Sequence, residues 1–548
     1  MLIFDKRFLT LSIAIAVSVV SLLFAVAFPG WRTLLLPALL IALPLSLLGV
    51  YDLLQTRHAV LRNYPILGHL RFMLEDIRPE IRQYFFEDEK SGMPFPRDKR
   101  AVVYQRAKHQ LDKRPFGTHH NVYESQFEWL HHSIAPRPVA TRGFRLMIGG
   151  PQCSKPYDAS ILNISAMSFG ALSANAIRAL NRGARIGGFA HDTGEGAISP
   201  YHREGGGDLI WEIGSGYFGC RTPNGQFDPG KFAAAAADPQ IKMIEVKLSQ
   251  GAKPGHGGVL PKAKVTAEIA EIRGVPMGED CVSPAGHSAF STPLGLLEFL
   301  NELRVLSQGK PVGFKLCIGH PWEFLGIVKA MLESGIRPDF IVVDGKEGGT
   351  GAAPLEFMDH LGMPLRDGLS FVHAVLTGAG LRGEIRIGCA GKITTGFDMA
   401  RVLALGADWC NAARGFMFAI GCIQAQQCHT GACPTGVATQ DPSRQRALNV
   451  GDKAIRVAHF HEETVKSLAE ILAAAGFDEP GQLMPQHVMR RSPDGRVLSF
   501  KDHYPALQPG ELLKGAPGTV FAEPWSLASS SSFSPSFPAC HPEPVAAS

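Results

Sequence analysis

The sequence predicts an α/β chain whose main domain is a TIM (β/α)8 barrel, preceded by an N-terminal transmembrane helical hairpin. Three observations carry this expectation: two long uncharged runs near the N-terminus, short β-branched runs that alternate with helical patterns between residues 161 and 415, and polar or glycine-rich loops where those runs end. The 548 residues suit a barrel of about 250 to 400 residues with appendages. With 54 basic and 50 acidic residues the net charge is only +4, so no nucleic-acid partner is expected.

Phe8 to Phe28 is a run of 21 residues without a charge, and Thr33 to Tyr51 is a second of 19. Each is long enough to cross the ~30 Å hydrocarbon core as a helix. Pro29, Gly30, Trp31 and Arg32 form the turn between them. A cleaved signal peptide would have an apolar stretch of roughly 7 to 15 residues and no second span behind it. Residues 1–62 are therefore expected to hold two membrane helices, at about 8–28 and 33–51. Lys6 and Arg7 precede the first, Arg57 and Arg62 follow the second, and Arg32 lies between. By the positive-inside rule both ends face the cytoplasm, which implies a multi-pass protein of the cell inner membrane with a cytoplasmic catalytic domain. Cys153, Cys220, Cys281, Cys317, Cys389, Cys410 and Cys540 are scattered, mostly in apolar runs, and read as reduced thiols rather than a disulfide framework.

Residues 63–150 form a connecting segment rich in Arg, Tyr, Phe and Pro. The helical spacing in "LRFMLEDIRPEIRQYFFEDEK" fits packing on the main domain or an amphipathic helix at the membrane surface. The barrel is expected over 151–480, with parallel strands in "ILNISAMS", "KMIEVKLS", "PVGFKLCIG", "DFIVVDG", "EIRIGCAG" and "ADWCNAARG". Six such units favour closure over an open doubly wound sheet and put the site at the C-terminal ends of the strands. Residues 481–510 read as a C-terminal extension, and 511–548, ending in "SLASSSSFSPSFPACHPEPVAAS", as a disordered Ser/Pro tail.

The last two strand ends suggest a phosphate site. A glycine-rich turn at Gly388 to Gly391, a helix opening near Thr395 and a strand ending at Ala413, Arg414 and Gly415 match the position where barrels hold phosphate; two tight turns would use the same glycines. "DGKEGGTGAAP", with Gly349, adds a third flexible backbone surface. Lys315 lies inside an apolar strand, where a lysine needs an anion or an electron-rich ring, or must reach out to solvent. "HDTGEGAISP" and "KLSQGAKPGHGG" set Glu195, Lys247, Gln250, Lys253 and His256 among glycines, which suits an acidic substrate and a proton-transfer partner.

In "GCIQAQQCHTGACPTG", residues 421–436, Cys422, Cys428 and Cys433 fall within twelve residues. Zinc would need a fourth ligand, and His429 is adjacent to Cys428, which rarely lets both join one tetrahedron. The spacing does not line one helical face, so a loop holding an iron–sulfur centre is expected over three core cysteines.

The run from "AMSFGALS" through "TGEG", "QGAKPGHGG", "GGTGAAP" and "GCIQAQQCHTGACPTGVATQDP" resembles the FMN-binding synthase domain of glutamate synthase, and the whole chain is similar to the shorter, membrane-anchored glutamate synthase-like proteins of bacteria. The resemblance covers about residues 90–480. It implies a TIM barrel with FMN and a [3Fe–4S] cluster on Cys422, Cys428 and Cys433. It further implies hydride transfer to 2-iminoglutarate, made from 2-oxoglutarate and ammonia. Carried over by position, Met167, Ser168, Gln250 and Lys315 would touch the flavin, and Gly349, Gly391, Ala413, Arg414 and Gly415 would hold its phosphate. Glu195, Lys247, Lys253 and Arg273 match substrate-site positions, with Lys253 as proton donor and Arg273 as carboxylate clamp.

Two positions depart from the family pattern: Val259 stands where glutamine is usual and His256 where glutamate is usual. The first removes a hydrogen-bonding amide from the substrate pocket, which opens the reading to another 2-oxo acid or an amine. The chain starts Met1-Leu2, without the N-terminal cysteine of a glutamine amidotransferase, so a separate ammonia source is expected. No G-x-G-x-x-G fingerprint between strand and helix appears, so the expected electron donor is an external protein or the membrane pool. A membrane-tethered electron-transfer subunit without turnover of its own is the reading from a different class.

Overall fold

Eight short parallel strands build the centre of the molecule: β1 (Leu162–Ile164), β2 (His191–Asp192), β3 (Leu209–Ile213), β4 (Ile241–Lys247), β5 (Val312–Leu316), β6 (Phe340–Asp344), β7 (Arg386–Ala390) and β8 (Trp409–Ala412). Each pairs in parallel with the next, and β8 returns to β1, so the sheet closes as a barrel. This is a computed structural model; it describes residues 5–141, 143–351 and 353–535. The chain divides into two units, at Arg97 and Asp98, and the barrel belongs to the second.

Helices follow the strands and cover the sheet, among them Ala174–Gly187, Pro293–Leu306, Pro321–Ser334 and Leu365–Gly378. Their starts are set locally. Ser173 accepts from Ala176 N and Thr292 from Gly295 N, and proline opens the helices at 293 and 321, where the missing N–H has no partner to lose. The six strands expected from β-branched runs are present. Two more, β2 and β3, carry weaker signals: β2 is two residues long, and β3 has Glu212 within it.

The antiparallel hairpin Arg145–Ile148 and Tyr157–Ser160 plugs the N-terminal end of the barrel. Its Ile148, Tyr157 and Ala159 pack with Ile210, Met243, Phe340 and Trp409 from the strands. Each large apolar side chain buried this way stabilises the fold by about 1.5–3 kcal/mol. Asp339 ties the plug to the sheet, accepting from Gly150 N and Val312 N at 2.8 Å each and from Arg304 Nε at 3.1 Å.

Part of the connecting segment belongs to this unit. Lys99 pairs with Asp398 at 2.8 Å, and Glu128–Leu130 joins Val488–Arg491 and Val497–Ser499 in a three-stranded antiparallel sheet. The stretch expected to be disordered from 511 is instead folded as far as it is described. Leu512, Ala516, Phe521 and Ala528 are buried, Ser530 O accepts from Leu294 N at 3.0 Å, and Lys329 Nζ donates to Ala528 O at 2.8 Å. Single apolar anchors separated by turns carry no period, which is why the sequence pattern missed them. Cys540 and the rest of the tail from 536 lie outside the described residues.

In the first unit, helices Leu9–Ala27 and Arg32–Leu54 lie antiparallel. With their flanking turns they span 22 and 26 residues and are long and apolar enough to cross a membrane by length and composition. Ser18 and Ser46 hydroxyls meet at 3.1 Å between the helices, and each also bonds a carbonyl one turn back, so neither polar group is left unsatisfied.

Candidate active site

One cavity opens among the loops beyond the C-terminal ends of the barrel strands, the face where barrel enzymes do their chemistry. The loop after β1 brings Met167 and Ser168, and the loop after β2 brings Glu195. Gly194 makes that approach possible: its φ is +64°, and a Cβ there would stand 2.9 Å from Ser168 N. His202 holds the neighbouring backbone, with its Nε2 3.1 Å from Met167 O and its Nδ1 2.8 Å from the Ser199 hydroxyl. Burial lowers its pKa to about 4, so the ring is neutral and donates from Nε2.

The end of β4 and the long segment after it supply the cations. Lys247 Nζ lies 2.9 Å from Glu195 Oε1. Burial opposes ionisation of Glu195, but Lys247, with Lys253 and Arg273, outweighs it and holds the carboxyl below its ordinary value. Lys253 donates to Gly257 O at 2.7 Å; burial lowers its pKa, Glu195 raises it and Lys247 lowers it, with a net shift downward. Arg273 is 6% exposed, donates to Phe169 O at 3.0 Å and lies over the Phe218 ring, and its Nε has no hydrogen-bond partner among the described residues. Three cations thus face a wall with one carboxylate at their level, a field that selects an anionic ligand. Gln250 and Val259 complete that wall.

On the opposite side Gly349, Ala413 and Arg414 line the same cavity. A Cβ on Gly349 would lie 3.6 Å from the Arg414 guanidinium, so the bare backbone leaves the cation approachable. The Arg414 Nη1 contacts are to sulfur, Met417 Sδ at 3.6 Å and Cys428 Sγ at 3.9 Å.

Cys428 joins the cavity to the cysteine loop. Cys422 and Cys433 are buried, and no disulfide links the three. Burial pushes the Cys422 thiol up. At Cys433 burial acts the same way, but backbone N–H groups of Ala438, Thr435 and Val437 and the Thr435 hydroxyl outweigh it and favour the thiolate. Lys264 donates to Cys428 O at 2.7 Å, and Tyr104 to Cys422 O at 2.6 Å, so the loop is held from two sides.

The structure brings Met167, Ser168, Glu195, Lys247, Gln250, Lys253, Arg273, Gly349, Ala413, Arg414 and Cys428 onto one cavity. It does not bring Gly391, which abuts Leu365, or Gly415, which is buried against Phe460. Lys315 lies deeper in the barrel among carboxylates, 3% exposed and paired with Glu212. His256 turns its ring to Phe357 and bonds Gly257 O at 2.8 Å. Sequence reasoning missed Lys264, Phe218 and Glu212; only Glu212, an acid inside an apolar run, left a signal to find.

Comparison with known proteins adds a lineage to this geometry. Residues 152–478 match the conserved region in glutamate synthase. The glutamate synthase large subunit-like protein YerD of Bacillus subtilis is 38% identical over 84% of this chain and 96% of its own length. An archaeal-type glutamate synthase [NADPH] of Thermotoga neapolitana is 36% identical over 57% of this chain and 59% of its own length. A solved flavocytochrome b2 aligns with a TM-score of 0.41 at 12% identity, over 76% of this chain and 91% of that one, too distant a likeness to bear on the site. The chain belongs to the glutamate synthase family of oxidoreductases.

Proposed function

We propose that this protein is an FMN and iron–sulfur oxidoreductase of glutamate synthase type, which reduces a 2-imino acid, formed from 2-oxoglutarate and ammonia, to an amino acid such as L-glutamate. The observation that carries the reading is the single cavity in which Lys247, Lys253 and Arg273 face Glu195 while Cys428 borders the other side. When bound, the flavin would supply the hydride.

The residues present fit both groups. Met167, Ser168 and Gln250 would border the ring, and Arg414, beside the open backbone of Gly349, suits a phosphate. Cys422, Cys428 and Cys433 sit on one loop with no disulfide among them and would supply one thiolate per iron to a [3Fe–4S] cluster.

In the reaction the chain's own groups do three things. Arg273 holds a substrate carboxylate, with a planar fork suited to two-point binding. Glu195 holds Lys247 in place through their 2.9 Å ion pair. Lys253, with its pKa lowered from the ordinary lysine value by burial, gives a proton to the imine nitrogen. Electrons would arrive from an external donor protein or the membrane pool and ammonia from a separate source. The two apolar helices of the first unit would anchor the protein in the inner membrane, with the barrel cytoplasmic.

Anaerobic purification followed by an absorbance spectrum and steady-state assay with 2-oxoglutarate and ammonia tests the reading; a protein without flavin and iron sinks it. Val259 on the cavity wall favours a second reading, a related oxidoreductase for another 2-oxo acid or an amine. A panel of such substrates separates the two.

A further inference from the structure

Inside the barrel, below the cavity, Lys315 of β5 faces carboxylates from three other strands. It pairs with Glu212 of β3, and its Nζ lies 3.2 Å from Glu245 Oε1 of β4 and 3.9 Å from Asp192 Oδ2 of β2. Asp344 at the end of β6 and Lys247 at the end of β4 are the other charged groups that act on this layer. The oxygens of Asp192, Glu212 and Glu245 lie within 4.8 Å of one another, a spacing that would suit a metal ion, but the Lys315 ammonium already stands among them.

One ammonium cannot balance these carboxylates in a buried layer, and like charges at this distance do not all ionise. Carboxyl oxygens of Asp192 and Glu245 lie within 4.8 Å of each other in this layer, close enough to share a proton rather than both ionise. Both are 1% exposed. Glu245 Oε1, in ion-pair range of Lys315, makes no hydrogen bond and points into the cluster. Glu212 differs from its neighbours in lining the cavity.

We propose that Asp192, Glu245 and Lys315 hold one exchangeable proton beneath the cavity, and that Glu212 is the group through which it passes to and from the cavity. In the transfer an O–H bond at Glu245 breaks and one at Glu212 forms, and no electrons move. Burial, with the negative charges of Asp192 and Asp344, holds the Glu245 carboxyl well above its ordinary value, which favours its protonated form. In the imine reduction this store would replace the proton spent above it. That service rests on the function proposed above; the store itself does not.

Infrared spectroscopy of the full-length, cofactor-loaded protein in H2O and D2O tests it. The wild type is expected to show a protonated-carboxyl band at neutral pH that shifts in D2O, and Glu245→Gln to lose it. Glu212→Gln is expected to keep the band but to slow its deuterium exchange about tenfold or more. A wild type without the band, a band that survives in Glu245→Gln, or unchanged exchange in Glu212→Gln overturns the proposal. Should Glu245→Gln not fold, the wild type decides alone: a band that persists from about pH 6 to about pH 8 supports the store, and one that titrates away there overturns it. The substrate assay is independent, so either reading can fail without the other.

Discussion

Lys247 Nζ and Glu195 Oε1 lie 2.9 Å apart on the wall of a cavity that also holds the Lys253 ammonium. Glu195 is the group that raises the Lys253 pKa against burial and the nearby Lys247. Replacing Glu195 by Gln removes that support and leaves two ammonium groups facing each other. The Lys253 pKa is expected to fall further, and the basic limb of the pH profile for 2-oxoglutarate binding to move to lower pH by about one unit. Turnover is expected to drop about 100-fold. A profile that does not move would show that Glu195 does not act on Lys253.

Val259 tests the substrate side. It lines the cavity next to Leu260, where an amide is absent. Val259→Gln is expected to raise kcat/KM for 2-oxoglutarate relative to an apolar 2-oxo acid by about 10- to 100-fold, because a hydrogen-bonding group rewards a polar ligand and penalises one that leaves it unpaired. Parallel assays with the two acids read this ratio, and an unchanged ratio removes Val259 from specificity.

Much of this was legible in the sequence because barrel strands are short apolar runs whose final residues carry chemistry. Glu195 comes from the loop after β2, and Lys247, Lys253 and Arg273 from the end of β4 and the segment after it, yet closure of the barrel brings them to one cavity. What escaped depends on partners far away in the chain. Lys315 reads as a cation in search of an anion, and only the parallel register of β3, β4 and β5 reveals that Glu212 and Glu245 are those anions. The helix opening at Thr395 reads as a phosphate turn, but its cap is closed by Asp398, which accepts from Thr394 N and Thr395 N. Lys264 carries no sequence signal, because its partner, the Cys428 carbonyl, lies 164 residues on in the chain.

Asp398 also sets an acid-stability expectation. Burial opposes its ionisation, but Lys99 and Arg401 outweigh that and hold its carboxyl well below the ordinary 3.8. A depressed carboxyl contributes stability that is fully present above its unfolded pKa and is lost as pH falls through the folded one. Asp398→Asn leaves Lys99 and Arg401 without this partner and is expected to cost about 3–5 kcal/mol at neutral pH. Urea denaturation along a pH series is expected to show the difference from wild type narrowing once the pH falls below about 4. A constant difference would mean the loss is packing, not charge.

The cysteine loop gives the sharpest distinction between chemistries. Replacing Cys422, Cys428 or Cys433 singly by Ser is expected to abolish iron and acid-labile sulfide while flavin absorbance remains, since Met167, Gln250 and Arg414 are untouched. Tyr104→Phe, which deletes the 2.6 Å bond to Cys422 O, is expected to keep the metal and cost only about 1 kcal/mol of stability. The contrast matters because both changes touch the same loop. If the loop were only packing, Ser at the half-exposed Cys428 would be nearly silent, and elemental analysis of the wild type would return no iron. If it held a single zinc, analysis would return one metal per chain without sulfide. Three irons with sulfide per chain, lost together in each single variant, is the result that a one-cysteine-per-iron cluster requires.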